Sequence, residues 1–148
     1  AQAGDGVEFA VATNSTIRVA ADETLGHYAD WLGLPTNRLR TLNNLKGNAT
    51  VSLGRSLKLD FSRVTVEDFE QKRRAYHQER QTAFFVDHRI VGTEVYVARR
   101  GDSLWMVTKR YGAVPPWLLQ HYNPDVNFAD LRAGVEIVIP KVESLAPA

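Results

Sequence analysis

Residues that often carry catalysis or bind metals occur in this chain of 148 residues, but their spacing suits neither task. The chain has no cysteine, which excludes disulfides, thiolate-bound zinc and thiol catalysis. Each histidine lacks a second ligand at helical or turn spacing: His27, His77, His88 and His121. No nucleophile elbow, phosphate loop or HExxH sequence occurs, and no two acids are placed convincingly for glycoside cleavage. We therefore expect a chain that is not an enzyme and that uses no metal or cofactor.

Composition and charge narrow the class of protein further. With 44% hydrophobic and 24% charged residues, the chain should fold as a soluble globular protein. Its net charge of +1 gives no field that would favour a nucleic acid partner. No run approaches the roughly 18 apolar residues of a membrane span, so neither membrane insertion nor an export signal is expected in the chain as given. The chain begins at Ala1 without Met and residues 144–148 resemble a linker, so we expect a piece of a longer protein.

Residues 17–60 and residues 96–140 repeat one pattern. At a constant offset of 79 residues, the first part of each copy aligns Ile17, Val19, Glu23, Thr24, Leu25 and Gly33 with Tyr96, Ala98, Asp102, Ser103, Leu104 and Gly112. Beyond Pro115-Pro116 the offset becomes 80, which aligns Leu39, Asn43, Val51, Gly54, Leu57 and Leu59 with Leu119, Asn123, Leu131, Gly134, Ile137 and Ile139. One inserted residue explains the change in offset, so we infer that the chain carries one unit twice.

Each copy predicts a short strand followed by a capped helix. Alternate apolar residues at 17–19 are typical of a half-buried strand. The hydroxyl of Thr24, or of Ser103 in the second copy, is placed to cap a short amphipathic helix. Gly33 and Gly112 then stand where a left-handed residue commonly ends a helix.

A second helix and a second strand complete each copy. Thr36 is placed to cap the second helix of the first copy, and Pro116 suits the first turn of its counterpart. Both helices must end by the asparagine that follows them, Asn43 or Asn123. A turn glycine then precedes a strand whose alternate residues are apolar. The order strand, helix, helix, strand is therefore predicted twice.

The segment between the copies predicts one long helix at about 65–86. Thr65 and the acids that follow it form a capping signal, and no Gly or Pro interrupts the segment up to Ile90. Its apolar stripe is thin and consists of Phe69, Tyr76 and Ala83. Because each copy alone would bury little surface, we hypothesise that this helix packs against one or both copies and fixes their relative orientation. The alternative is a docking surface for another protein, but alternating charge is more often a solvated face.

Several motifs of the second copy together resemble a LysM module: Tyr96-Val-Ala-Arg-Arg-Gly-Asp-Ser-Leu-Trp105, Tyr111-Gly112, Leu119, Asn123-Pro124, Leu131, Gly134 and Ile137-Val-Ile-Pro140. The first copy resembles the family only through its duplicate, and we interpret it as divergent. It has Asp22-Glu23-Thr24-Leu25 in place of Gly-Asp-Ser-Leu, and Gly26 in place of Trp105. The resemblance implies an α+β fold with two LysM-like βααβ units joined by a long helix. The expected boundaries are an N-terminal extension at 1–16, a divergent unit at 17–60, a linker at 61–94, a LysM unit at 95–141 and a tail at 142–148.

The resemblance also implies binding of glycans that contain N-acetylglucosamine, chiefly bacterial peptidoglycan or chitin. In the family the sugar lies in a shallow groove between the loop after the first strand and the loop after the second helix. In the second copy the matching residues are Gly101, Asp102, Ser103 and Leu104, which would face Asn123, Pro124, Asp125 and Val126. A possible second site consists of Asp22, Glu23, Thr24 and Leu25 facing Asn43, Asn44, Leu45 and Lys46. Its two acids argue against sugar binding there.

A purely structural role competes with the glycan-binding role for most of these residues. Helix capping and turn formation explain Thr24, Ser103, Asn43 and Asn123 without any ligand. The functional interpretation gains because the implied fold brings two such loops together. Among the tryptophans, which can stack on a sugar ring but are more often packed inside, Trp105 is the best candidate for a ligand contact.

These observations favour the cell-wall targeting region of a larger bacterial envelope protein, periplasmic or associated with the cell wall. Its partner would be peptidoglycan or a chitin-type glycan. The resemblance to the family also implies a catalytic domain elsewhere in the parent chain, such as that of a lytic transglycosylase. The alternative is a scaffold in which one or both LysM-like units interact with proteins, and the acidic pair Asp22-Glu23 is its best support.

Overall fold

The computed structural model describes residues 9–145 and divides them into two compact units, residues 9–80 and residues 81–145. Residues 1–8 and 146–148, which belong to the expected N-terminal extension and tail, lie outside the described residues. The boundary between the units falls inside a long helix, so each unit is described by itself.

The first unit is built on a two-stranded antiparallel sheet. Strand β1 (Thr16–Arg18) pairs with strand β2 (Ser56–Lys58), and Ile17 lies opposite Leu57. Helices α1 (Leu25–Leu32) and α2 (Thr36–Leu42) lie between the strands in sequence. The core consists of Ile17, Val19, Leu25, Tyr28, Ala29, Trp31, Leu32, Leu39, Leu57, Leu59 and Phe69.

The ends of these helices follow the predicted signals, with one exception. Thr24 caps α1 by accepting a hydrogen bond from the amide of His27, and Gly33 ends the helix with a left-handed φ of 69°. The prediction that Thr36 caps α2 is wrong, because the capping position is Pro35 and Thr36 already lies in the first turn. Proline is well suited to this place, since its fixed φ and missing N–H leave no additional donor unsatisfied.

The second unit has the same order of elements. Strand β3 (His88–Val97) is followed by helices α4 (Leu104–Tyr111) and α5 (Pro116–Tyr122), a 3-10 turn (Phe128–Asp130) and strand β4 (Glu136–Ser144). Strands β3 and β4 are antiparallel. Its buried apolar residues include Tyr96, Ala98, Leu104, Val107, Val114, Trp117, Leu118, Leu119, Phe128, Ile137 and Ile139. The α+β class, with two βααβ units and a long helix between them in sequence, is confirmed.

The second sheet is longer than the repeat predicts. Its pairing runs from His88 opposite Ser144 to Val97 opposite Glu136, with a bulge between Ile90 and Gly92. The expected linker up to residue 94 and the expected tail from residue 142 therefore both contribute strand. The comparison of copies could not reveal this extension, because the first sheet pairs only three residues of each strand. The β-branched and aromatic residues of 90–97 favour the extended structure.

The long helix, α3 (Val66–Asp87), lies close to its predicted range and begins at the predicted cap. The hydroxyl of Thr65 accepts a hydrogen bond from the amide of Asp68 at 3.0 Å. The predicted apolar stripe is only partly right. Phe69 is buried and Tyr76 is half-buried, but Ala83 is exposed, while Arg73 and His77 are buried instead.

Helix α3 contacts residues of both units. In the first unit, Phe69 lies edge-on to Trp31, with ring centroids 5.9 Å apart. In the second unit, Phe84 and Phe85 lie edge-on to Trp117 at 5.4 and 6.0 Å. That the helix fixes the relative orientation of the units stays a prediction, which NMR relaxation would test by separating joint from independent tumbling.

Candidate functional site

One asparagine in the second unit, expected to face a ligand, is used inside the fold instead. Asn123 is buried and follows helix α5. Its side-chain amide donates to the carbonyls of Leu119 and Val138 at 2.8 Å each, and its oxygen accepts from the amide of Val138 at 2.8 Å. These bonds join the end of α5 to strand β4. The Asn123 side chain therefore has a structural role, and a glycan contact by this residue stays a prediction.

The aligned asparagine of the first unit makes the same set of bonds. Asn43 donates to the carbonyls of Leu39 at 2.9 Å and Lys58 at 3.0 Å, and it accepts from the amide of Lys58 at 2.7 Å. The partners lie at the same offset of 80 residues as the asparagines themselves. An aligned polar residue with identical bonding in both units supports the interpretation of the repeat as a structural duplication.

The loop after the first strand of the second unit is held in one conformation by its own side chains. Gly101 is exposed and has a φ of 89°, a value that favours glycine. Asp102 accepts hydrogen bonds from the amide of Arg99 at 2.8 Å and from the hydroxyl of Tyr96. The Tyr96 hydroxyl and the Arg99 amide hold the pKa of Asp102 below its usual value. Ser103 caps α4, as predicted.

The remaining predicted residues of that site differ in exposure. Leu104 is buried, so its side chain belongs to the core. Pro124 and Asp125 are exposed, and Val126 is half-buried with its amide donating to the carbonyl of Asn123 at 3.1 Å. Of the second predicted loop, only Pro124, Asp125 and Val126 thus keep side chains that a ligand could reach.

The acidic residue of the first unit that corresponds to Asp102 points into the protein. The Glu23 side chain is fully buried and accepts hydrogen bonds from the amide of Ala20 at 3.1 Å and from the hydroxyl of Tyr28. It also forms a two-pronged ion pair with Arg73 of α3, at 2.7 and 2.8 Å, and lies 2.7 Å from Nε2 of His77. The Glu23 carboxylate is thus used for contacts inside the first unit, and a ligand contact by this residue stays a prediction.

The neighbours of the buried Glu23 carboxylate determine its charge state. Burial alone would raise the pKa of Glu23, but hydrogen bonds from His77 and Arg73, the Arg73 charge and the Tyr28 hydroxyl outweigh it and lower the pKa to about 2. Burial and the adjacent carboxylate in turn raise the pKa of Tyr28. Glu23 is thus ionised at neutral pH, with its charge neutralised inside the protein.

The second acid of this loop is also partly covered by helix α3. Asp22 has a φ of 68°, and its carbonyl accepts a hydrogen bond from the hydroxyl of Tyr76 at 2.7 Å. Its Oδ1 lies 3.7 Å from a guanidinium nitrogen of Arg80. Asp22 and Glu23 therefore do not form an open acidic loop, which removes the main argument against a ligand in this unit and the main support for a scaffold.

A cavity of about 190 Å³ lies in the first unit, beside the loop for which the resemblance predicts a groove. One side is formed by the loop after β1 and the start of α1, and the other by α2 and the loop after it. The lining residues are Glu23, Thr24, Leu25, Gly26, Arg40, Ala49, Thr50 and Val51. The structure thus brings Glu23, Thr24 and Leu25 together at this cavity, but Asn43, Asn44, Leu45 and Lys46 are not among its lining residues.

The predicted facing residues of the first unit are the first residues after helix α2. Those residues end the helix, whereas the chain reaches the cavity only at Ala49 to Val51. At the offset of 80, the counterparts of the facing residues Arg40, Ala49, Thr50 and Val51 in the second unit are Gln120, Ala129, Asp130 and Leu131. The alignment of the two units thus indicates which residues of the second unit correspond to the cavity lining, once the lining of the first unit is known.

Two residues of the second unit stand out at these aligned positions. Gln120 is buried, and its Oε1 has no hydrogen-bond partner among residues 9–145. Trp105, the counterpart of the cavity-lining Gly26, is 68% exposed, whereas Trp31 and Trp117 are each 7% exposed. An unpaired buried carbonyl oxygen and an exposed indole are the two kinds of group that a sugar with an amide substituent could use.

The described part of the chain has neither a cluster of metal-binding side chains nor a helix that could span a membrane. Within residues 9–145, no three His, Cys, Asp or Glu side chains come together as a metal site would require. Among the same residues, no helix has the length and apolar character that crossing a membrane demands.

Comparison with known families identifies the second unit. Residues 96–140 match the family model of the LysM domain. No curated protein matches the chain. LysM domains are non-catalytic, they occur in cell-envelope or extracellular proteins, and they bind glycans that contain N-acetylglucosamine, such as peptidoglycan. The chain therefore contains a LysM domain at residues 96–140.

Proposed function

We propose that this chain is a non-catalytic peptidoglycan-binding region that targets a larger bacterial envelope protein to the cell wall. The LysM match at residues 96–140 is the observation that carries the proposal. The first unit is a divergent LysM copy in this proposal, and the shared bonding of Asn43 and Asn123 supports that part. The parent protein is a wall-modifying enzyme, such as a lytic transglycosylase, that works in the periplasm or at the wall.

The proposed groove of the second unit combines a fixed loop with two ligand-contacting side chains. The loop from Gly101 to Ser103 supplies backbone close to the sugar. Gln120 supplies an amide for the acetamido group, and Trp105 supplies an apolar face for the ring. Pro124, Asp125 and Val126 remain at the edge of this groove, whereas Asn123 supports it from behind.

The scaffold alternative gains no comparable observation. Its best support was the acidic pair Asp22-Glu23, but Glu23 is buried and paired with Arg73. A protein partner therefore has no acidic loop to recognise in the first unit.

Sedimentation with purified insoluble peptidoglycan, and with chitin in parallel, tests the proposal. Trp105→Ala should lower the affinity by about 2- to 10-fold, the range expected for losing an aromatic contact of about 0.5–1.5 kcal/mol. Phe85→Ala is the control, because Phe85 is a 46% exposed aromatic residue on α3 that lies outside the proposed groove and contacts Trp117 with one edge. It should leave sedimentation unchanged.

A second variant separates binding from folding. Gln120→Met keeps the size of the side chain and removes an oxygen that has no partner in the described part of the fold. It should therefore maintain or raise stability while weakening glycan binding. Absence of sedimentation with the unaltered chain would overturn the proposal. Unchanged sedimentation of both groove variants would remove these two residues from the site.

A further inference from the structure

We propose that the cavity of the first unit binds a carboxylate of the glycan ligand, and that Arg40 is the residue that pairs with it. The inference rests on the proposed function in one respect, namely that the ligand of both units is peptidoglycan. It assigns the two units different chemistry: a neutral sugar in the second unit and an anionic substituent in the first.

The guanidinium of Arg40 is fixed at the cavity by the backbone of the facing loop. Its Nη1 donates to the carbonyls of Ala49 at 2.9 Å and Lys46 at 3.2 Å. A guanidinium has five N–H donors in a rigid fork, so the group retains donors for a ligand after making these two bonds. Arg40 is half-buried, and its side chain is therefore both oriented and accessible.

The charge of Arg40 is not balanced within the described part of the chain. No carboxylate of residues 9–145 forms an ion pair with it. Among residues 9–145, the only acid that lines the cavity is Glu23, which already pairs with Arg73 and His77. An arginine that is always charged, next to a cavity whose one acid is neutralised, favours an anionic ligand.

The size and the lining of the cavity restrict what that ligand can be. A volume of about 190 Å³ is below the roughly 300–1,000 Å³ of pockets for drug-sized molecules, so it suits one substituent of a sugar. Leu25 and Val51 offer apolar contact, and Thr24 and Thr50 offer hydroxyls. Gly26 has no side chain to close the entrance. A short acid with an apolar carbon, such as a lactyl ether or a peptide carboxylate, matches this lining.

The second unit lacks this charge at the aligned position. Gln120 replaces Arg40, and Trp105 replaces Gly26. A neutral amide and an indole suit an uncharged acetamido sugar, which chitin and peptidoglycan share. Only peptidoglycan also carries carboxylates, on its peptide stems and, where a stem is absent, on the lactyl group of muramic acid. The first unit would therefore supply the preference for peptidoglycan over chitin.

NMR titration of the full chain tests this site residue by residue. The probes are chitotetraose, the peptide-free disaccharide of N-acetylglucosamine and N-acetylmuramic acid, its lactyl methyl ester, and the same disaccharide with a tetrapeptide stem. The signals of the backbone amides at 24–26 and 49–51 should shift when a carboxylate-bearing probe is added. The affinity obtained from these shifts should be at least tenfold lower for chitotetraose. Shifts with the peptide-free disaccharide, weakened by esterification, assign the lactyl group. Shifts only with the tetrapeptide form assign the stem.

The pairing of Arg40 with a carboxylate is tested both by changing Arg40 and by esterifying the ligand. Arg40→Gln should abolish the preference for the carboxylate, and Arg40→Lys should retain part of it. The ester leaves the protein unaltered, so its weaker binding cannot come from a loosened loop at Lys46 and Ala49. Equal affinity for charged and neutral probes at 24–26 and 49–51, or no shifts there with any probe, would overturn the inference. Failure of the proposed function appears separately, as the absence of shifts at 101–105 with chitotetraose.

Discussion

Protonation of Glu23 should weaken the packing of helix α3 within the first unit. This carboxylate accepts hydrogen bonds from Ala20 and Tyr28 of its own loop and helix, and it pairs with Arg73 and His77 of α3. The ring of Phe9 covers the far side of the cluster, stacked on His77 at 4.7 Å and 5.4 Å from the Arg73 guanidinium carbon. Loss of the negative charge would leave Arg73 buried with no partner of opposite charge in the cluster.

The size of the effect follows from the pKa of Glu23. Its folded value of about 2, compared with an ordinary value of 4.5, corresponds to about 3 kcal/mol, because one pKa unit is about 1.4 kcal/mol. Since the folded pKa is the lower one, this stability is fully present above pH 4.5. It is lost as the pH falls from 4.5 towards 2. Removing one partner of a buried ion pair has a similar effect, about 3–5 kcal/mol.

Urea unfolding followed by NMR at a series of pH values measures this effect in each unit separately. At pH 7, Glu23→Gln should lower the free energy of unfolding of the first unit by about 3 kcal/mol. At pH 2 the variant and the unaltered protein should converge. Asp102→Asn is the matched control in the second unit. Its carboxylate is half-exposed and has no basic partner in an ion pair among the described residues, so its loss should have a smaller effect.

Two results of comparing the Glu23→Gln variant with the unaltered protein would contradict this explanation. If Glu23→Gln retains the acid sensitivity of the first unit between pH 4.5 and 2, then another group causes it. If the variant loses less than about 1 kcal/mol at pH 7, then the buried pair does not hold α3, and its desolvation already balances its attraction.

Other positions give further predictions. Asn43→Ala and Asn123→Ala each remove three hydrogen bonds and should lower the stability of their own unit by about 2–3 kcal/mol, more for the buried Asn123; urea unfolding of each unit measures this. Thr24→Ala removes the cap of α1 and should cost about 1 kcal/mol in the same assay. Gly26→Ala should raise the thermal midpoint, since its new Cβ would meet only Thr24 Oγ1 at 3.6 Å and alanine favours a helix by about 1 kcal/mol. An unchanged or lower midpoint would contradict that last expectation.

The local signals of the fold were readable because each depends on one or two residues. Hydroxyls at Thr24, Thr65 and Ser103 cap helices as predicted. Gly33 and Gly112 both have positive φ where the first helix of each unit ends. Such signals concern backbone donors and backbone angles, which sequence neighbours determine. Short-range physics therefore predicted the helices of both units well.

The parts that were missed depend on contacts far apart in sequence. Glu23 and Arg73 lie 50 residues apart, and no pattern of apolar residues predicts that a charged side chain will be buried. A hydrophobic pattern on α3 pointed to Ala83, whereas the helix buries His77. The same limit applies to the predicted groove, because the hydrogen bond from Lys58 to Asn43 cannot be inferred from a polar residue that follows a helix.

The difference between the two units at their first loop now has a physical explanation. Asp102 and Glu23 each accept a hydrogen bond from the amide three residues earlier, so both keep the same turn. Glutamate has one more methylene group, and the Glu23 carboxylate also reaches Arg73 of α3. The exchange that suggested lost sugar chemistry therefore anchors a helix. Pairing with Arg73 also neutralises the charge of Glu23 beside the cavity, as the proposed role of Arg40 requires.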